Sequence, residues 1–307
     1  MAVIPLTPTD PSNLKGISIL ITGGASGLGQ HAATFFAKSG AFVTIADIQD
    51  GSIIAAELVK EGYKVQFIHC DITSWVSQVS AFQAALKFSP TKTLDAVAAF
   101  AGVDGTGHLV DHVAAPEPSL DTAPPMPSLA PIDVNLKGTF YTATLALYYF
   151  RLTPQPTNAD VSKSKSLTIV SSLAGYIDDT HSTAYTASKF GSRGLFRGIR
   201  AQAHSQLNVR VNAICPWAMK SPMIEAALGR MAEFGILPNK GITLVPHEVL
   251  SEALGRIVYD EGIHGRAIAI VPEGAVDLDD DNEGAYAGPV LVELMALRKA
   301  AGDFLHS

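Results

Sequence analysis

An α/β fold built on a doubly wound parallel sheet, with helices on both of its faces, is what this chain predicts, and three observations carry that prediction. Seven short apolar runs rich in β-branched residues recur along the 307 residues. Segments of helical period lie between most of them. The runs are apolar almost throughout, as strands covered on both faces should be, and strict alternation of strand with helix means βαβ units.

The elements follow in order. The strands are expected at "ISILIT" 17–22, "FVTIAD" 42–47, "VQFIHC" 65–70, "LDAVAAF" 94–100, "LTIVS" 167–171, "VRVNAI" 209–214 and "RAIAIV" 266–271. Helical period runs through 27–39, 51–61, 74–87, 132–151 and 185–204. Two stretches break the rhythm. The Pro- and Gly-rich segment 104–131 follows the fourth strand, on the edge where ligands bind in such sheets, and is expected to shape a pocket. Segment 153–166 precedes the fifth strand and reads as a solvated loop. The acidic "DLDDDNE", 277–283, reads as a solvated turn before a last helix at about 286–303. The whole chain is read as one domain, 1–307, with its core at about 14–274.

Composition narrows the function classes. With 47 % hydrophobic residues the chain can bury a sizeable core, and a net charge of −7 leaves no electrostatic footprint for nucleic acid or an acidic membrane surface. No apolar run is long enough to span a bilayer, and the opening residues do not resemble a secretory signal. A cytoplasmic protein is the expectation. Cys70 and Cys215 lie in apolar strand-like contexts and are read as buried thiols. No cluster of His, Cys, Asp and Glu has metal-ligand spacing, so no metal is expected.

The first strand ends in "TGGASGLG", in which Gly23, Gly27 and Gly29 stand between a strand and a helix. There glycine permits a tight turn, close approach of backbone amides to a pyrophosphate and close packing of helix on strand. Asp47 closes the second strand eighteen residues after Gly29. That is near the separation of about 20 at which an acidic residue meets an adenosine ribose. A carboxylate at this place repels a 2′-phosphate and favours NAD; the alternative is an Asp that caps the next helix.

The chain has a single Tyr-x-x-x-Lys, Tyr185 to Lys189, opening a helical segment. A spacing of four puts phenol and ammonium on one helix face, and a nearby cation lowers a phenol's pKa towards use as a general base. Ser172, at the end of the fifth strand, can hold a substrate oxygen, and Asn135 adds a polar group within a mostly apolar segment.

With these motifs in place the chain resembles the short-chain dehydrogenase/reductase family, of the single-domain Tyr-x-x-x-Lys kind, over about residues 14–274. The resemblance implies a Rossmann-like fold and a catalytic set of Asn135, Ser172, Tyr185 and Lys189. Tyr185 would be the acid/base, Lys189 would lower its pKa and bind the nicotinamide ribose, Ser172 would polarise the substrate oxygen, and Asn135 would hold a water in the proton relay. It further implies cofactor contacts from Thr22, Gly23, Ser26, Gly27, Leu28 and Gly29, then Asp47, Ile48, Asp71 and Ile72, and finally Ala101, Gly102, Pro216, Met219 and Ser221. The loop style resembles fungal members that act on secondary-metabolite alcohols.

Two departures stand out: "AFAG" at 99–102 replaces a commoner Asn-Asn-Ala-Gly, and Trp217 replaces the glycine usual after Pro216. Trp217 is read either as pocket or as core. The segment 217–237, with Met223, Met231 and Phe234, corresponds to a lid, and its apolar residues suit either a large hydrophobic substrate or ordinary helix packing. His181 is read as polar surface. The activity implied is NAD-dependent interconversion of a secondary alcohol and a ketone on a fairly large hydrophobic molecule. The alternatives are the same fold repurposed for a non-redox step such as cyclisation, and a dinucleotide sensor without turnover. By the same resemblance, a homodimer or homotetramer assembles through the helices at about 132–151 and 185–204.

Overall fold

A computed structural model describes residues 10–105, 107–114, 117–152, 164–177, 182–225 and 243–280. Eight strands form one sheet, in chain order β1 Ser18–Thr22, β2 Phe42–Asp47, β3 Lys64–His69, β4 Ala96–Ala99, β5 Lys165–Val170, β6 Val209–Pro216, β7 Ala267–Val271 and β8 Gly274–Asp277. Their spatial order is β3-β2-β1-β4-β5-β6-β7-β8. Seven are parallel, as the sequence predicts, and β8 folds back antiparallel on β7. The chain leaves β1 in one direction towards β2 and β3 and re-enters on the other side at β4. A crevice therefore opens at the carboxyl ends of β1 and β4, where ligands of such sheets bind.

The helices are α1 Gly27–Lys38, α2 Ser52–Lys60, α3 Trp75–Phe88, α4 Leu109–Ala114, α5 Thr139–Tyr149, α6 Thr183–Leu207 and α7 His247–Tyr259. Alternation along the strands divides the core between the two faces. In β1, Ile19 and Ile21 join the cluster under α1, α2 and α7, while Leu20 joins the one under α3, α5 and α6. In β4, Ala96 and Ala98 face the first cluster and Val97 the second.

The expected helix at 132–151 divides into a π-helical turn, Ile132–Gly138, followed by α5. Within the 104–131 segment the structure adds the short α4; the loop residues 153–163 and the expected last helix at 286–303 lie outside the described residues. The acidic turn is a correction. Asp277 pairs with Arg266 at 2.5 Å and the Asp280 side chain is fully buried between arginines, so these two are docked, while Asp279 is exposed and 281–283 lie outside the described residues. Both cysteines are buried free thiols, as read.

Arg210 shows how the sheet holds α7. Its side chain is buried, and it donates to the carbonyls of Ile257 (2.5 Å) and Val258 (2.7 Å) in the last turn of α7 and to those of Asp260 and Ile263 just beyond. A helix ends with unpaired carbonyls and a partial negative charge, and a buried guanidinium answers both.

Candidate active site

The glycine-rich turn leaves β1 with no room for a side chain at Gly23 or Gly29. A Cβ on Gly29 would lie 2.1 Å from the Gly23 carbonyl oxygen, and one on Gly23 would lie 2.6 Å from the Ala101 backbone. Gly23 also has a φ of +70°. Glycine is required here because α1, the turn and the end of β4 meet at backbone distance. The α1 N-terminus then presents unpaired amides at the mouth of the crevice, and the Ser26 hydroxyl beside them makes no capping bond. Thr22 is buried beneath, its hydroxyl 3.5 Å from the Ala101 amide. Leu28 packs on the first core cluster.

Asp47 lies at the carboxyl end of β2, buried. One oxygen accepts from the Ala25 amide and the other from the Gln49 amide, both at 2.9 Å. It does not cap α2, whose first amide at Ser52 is taken by Asp50. Asp47 thus ties the second strand to the glycine turn while each carboxylate oxygen keeps a lone pair. Ile48 beside it is 61 % exposed. Asp71 holds Thr73 by its amide and its hydroxyl, both at 2.8 Å to one carboxylate oxygen. Ile72 is buried in the second cluster, against Gly138.

The Tyr-x-x-x-Lys pair occupies the first two turns of α6, which Ser182 caps by accepting from the Tyr185 amide. The Lys189 ammonium lies 5.4 Å from the centre of the Tyr185 ring and donates to the Val170 carbonyl at 3.2 Å. Burial lowers its pKa from 10.5 to about 8. The helix is stitched to the end of β5, since the Ser171 hydroxyl donates to the Lys189 carbonyl at 3.0 Å. Ser172, next along, caps a 3₁₀ turn, Leu173–Gly175, by accepting from the Ala174 amide at 3.1 Å. That bond leaves the Ser172 O–H to donate elsewhere.

Asn135 sits in the π-helical turn, a distortion found often at functional sites. Its side chain accepts from the Val103 amide (2.8 Å) and donates to the Val103 carbonyl (2.9 Å) and to the Ser188 hydroxyl (3.0 Å). Ser188 in turn donates to the Tyr185 carbonyl at 2.6 Å. Asn135 therefore fastens the segment after β4 to the Tyr185 helix, and a Cβ on Gly102 would lie 3.2 Å from its Oδ1. Both amide hydrogens are engaged, and one lone pair of Oδ1 is left for a water. Ser188 has no role in the sequence reading; its place one residue before Lys189 was the available signal.

Beyond β6, Pro216 is buried in the strand and Trp217 is 39 % exposed, which removes the core reading of that tryptophan. Met219 is buried and pairs by its backbone with Val245. The Ser221 hydroxyl accepts from the Ile224 amide, and Ser221 and Pro222 lie within 4 Å of where a Gly27 Cβ would stand, so the base of the lid abuts the glycine turn. Met223 is half-buried; Met231, Phe234 and His181 lie outside the described residues. In "AFAG", Ala99 is buried and Phe100 packs on the first cluster. The 104–131 segment is joined to the front of α6 by a Gly107–Ser182 bridge and a Leu109 amide donating to the Thr183 hydroxyl at 3.1 Å. Among the described residues no group of His, Cys, Asp and Glu could hold a metal ion, and no helix is long and apolar enough to cross a membrane.

The geometry brings the glycine turn, Asp47, Asn135, Ser172, Tyr185 and Lys189 to one edge of the sheet. The family described as short chain dehydrogenase matches residues 18–230. A 5′-hydroxyaverantin dehydrogenase of Dothistroma septosporum is 44 % identical over 301 residues, covering 96 % of this chain and 97 % of that one. A second, of Emericella nidulans, is 42 % identical over 299 residues, covering 95 % and 96 %. Other relatives, at 31 and 34 % identity, carry "NADP-dependent dehydrogenase" in their names. Among solved structures, the aldohexose dehydrogenase of Thermoplasma acidophilum superposes with a TM-score of 0.65 at 22 % identity, over 84 % of this chain and 94 % of its own.

Proposed function

The chain belongs to the short-chain dehydrogenase family, and from that premise we propose that it oxidises a secondary alcohol on a large hydrophobic secondary metabolite, of the 5′-hydroxyaverantin kind, with NAD. The observation that carries this reading is the gathering of Ser172, Tyr185 and Lys189 at the sheet edge that also holds a turn with no space for a Cβ at Gly23 or Gly29. The residues fit a dinucleotide. A cradle that any Cβ would fill, an uncapped helix N-terminus and the Ser26 hydroxyl suit a pyrophosphate. Asp47 suits a ribose diol and repels a 2′-phosphate, and this favours NAD over the cofactor named for the more distant relatives.

When bound, the nicotinamide supplies the hydride acceptor. The chain's own residues position the substrate and manage its proton. Ser172, its oxygen already accepting from Ala174, donates its O–H to the carbinol oxygen. Tyr185, as phenolate, takes the hydroxyl proton, and the ammonium of Lys189 one helical turn away favours that phenolate. Asn135 keeps the segment after β4 fixed against α6 and has one lone pair for a relay water. Exposed Trp217, just beyond β6, and half-buried Met223 are the apolar side chains this reading assigns to the substrate pocket.

Assembly of two or four copies is supported by an apolar groove across the π turn and α6. It is lined by Leu136, Phe140 and Leu195 and floored by Gly191, Gly194 and Gly198. Glycine in a helix interior costs about 1 kcal/mol relative to alanine. Gly194 and Gly198 face open space. A second helix lying along them is what would offset that penalty.

The test is NADH and NADPH formation by the purified protein with 5′-hydroxyaverantin and smaller secondary alcohols, beside Tyr185→Phe. Expected is NAD-linked turnover that falls by about 10²-fold or more in the variant. Tight NAD binding with no turnover in either direction would refute the reading.

A further inference from the structure

Asp280, three residues after the end of β8, links the chain beyond the sheet to the helix of the active site. Asp280 lies in a cage made by α6. Arg193 Nη2 donates to its Oδ1 at 2.6 Å and Arg193 Nε to its Oδ2 at 3.4 Å, a two-point fork, while Arg197 Nη1 reaches the same Oδ1 at 2.9 Å. Arg197 and Arg200 also donate to the Asp280 carbonyl. The carboxylate is fully buried and Arg193 nearly so, so the pair is held in a dry environment where bidentate geometry is strongly directional.

The two arginines on this carboxylate differ in what else they touch. Arg193, one helical turn beyond Lys189, places its guanidinium 4.1 Å from the Tyr176 ring centre and donates to the Gly175 carbonyl at 3.5 Å. Gly175 and Tyr176 close the short turn that Ser172 opens. That turn is pressed close on α6, for a Cβ on Gly175 would lie 2.9 Å from the Lys189 carbonyl oxygen. Arg197 has hydrogen bonds to Asp280 alone among the described residues.

We propose that Arg193, clamped by Asp280, is a positioning residue that fixes the Ser172 turn against the Tyr185–Lys189 helix, so that the segment after β8 sets the alignment of hydroxyl and phenol. This rests on the dehydrogenase reading above. A misplacement of about 1 Å at a reacting centre lowers turnover by up to about 10²-fold. The effect falls on the substrate oxygen and leaves the glycine turn, at the other end of the crevice, untouched.

The experiment compares Arg193→Lys, Arg197→Gln and Asp280→Asn with the parent chain. Lysine keeps the charge but cannot hold the fork, the Gly175 carbonyl and the Tyr176 face together. Amide exchange across Leu173–Ile177 is measured on the protein alone. Turnover is measured with NAD and the best alcohol, with kcat and both KM values separated. Expected for Arg193→Lys is about tenfold faster exchange in that turn and a kcat reduced 10- to 100-fold, with the KM for NAD unchanged. Arg197→Gln is expected to lower the melting temperature while leaving exchange in the turn and kcat as in the parent. Should Asp280→Asn fail to fold, the contrast between the two arginine variants decides. Arginine variants that behave alike, or an Arg193→Lys protein with parental exchange and kcat, overturn the proposal. A parent chain with no turnover refutes the dehydrogenase reading and withdraws the positioning role with it, whereas parental turnover that Arg193→Lys leaves intact overturns the positioning role alone.

Discussion

Replacing Lys189 with methionine is expected to stabilise the cofactor-free protein at neutral pH and to lose that advantage in alkali. The ammonium is buried with the Val170 carbonyl as its hydrogen-bond acceptor, and burial brings its pKa from 10.5 down to about 8. A drop of that size corresponds to about 3 kcal/mol of unfavourable free energy for the charged form in the folded state. The unfolded chain keeps the proton up to pH 10.5, whereas the folded one releases it near 8. Between those values the unfolded state binds more protons, so the parent protein gains stability as pH rises through that window. Methionine fills a similar volume without a charge. Urea denaturation of parent and Lys189→Met at several pH values, at one protein concentration, reads the difference directly. Titrating groups remote from Lys189 largely cancel in that comparison, whereas the buried Cys215 thiol, pushed up to about 12 mainly by burial, interacts with Lys189 and titrates above the window used. The expected gap is about 3 kcal/mol at pH 7, closing towards zero near pH 10. A gap that does not change with pH would refute the reasoning. The variant should also lose turnover, which would show that a destabilising charge is kept for its effect on Tyr185.

Three further outcomes are expected. Gly29→Ala forces a Cβ to within 2.1 Å of the Gly23 carbonyl, so it should lose NADH binding by fluorescence titration and destabilise the fold by about 1–3 kcal/mol. Arg210→Met strands buried carbonyls at the end of α7 and should lower the unfolding free energy by about 3 kcal/mol or more, read from denaturant midpoints; a loss under about 1 kcal/mol would mean that water replaces the guanidinium. Phe140→Glu puts a carboxylate in the apolar groove on α5 and α6 and should shift the mass measured by light scattering towards a single chain.

The parts legible in the sequence are those with a local cause. Strand and helix alternation, the three glycines and the Tyr185–Lys189 spacing each follow from a short-range period or a backbone requirement. What escaped depends on partners far along the chain. The run around Asp280 has the composition of a solvated turn, and only the arginines more than 80 residues earlier account for the burial of Asp280 itself. The sequence marks Asn135 as a polar group in an apolar segment but not its hold on Val103 and Ser188, and the π turn that carries it has no sequence signature. Asp47 reads either as a ribose contact or as a cap of the next helix; Asp50 takes the cap, and the bond from the Ala25 amide that ties Asp47 to the glycine turn has no sequence signal. Trp217 reads equally as core or pocket because an aromatic after a strand suits both, and its exposure comes from the bend of the chain beyond Pro216.

The backward turn of β8 governs how the sheet ends. A parallel sheet that stopped at β7 would offer its last strand as a template on which a neighbouring chain could continue the hydrogen-bond ladder. Here β8 covers that side, register by register from Ile268 against Asp277 to Val271 against Gly274. What remains on this rim is a strand of four residues, Gly274–Asp277, too brief for a second molecule to extend. Strand-to-strand fusion of crowded copies is thereby discouraged at this rim, and the opposite rim, β3, carries Lys64 and His69 outward at its two ends.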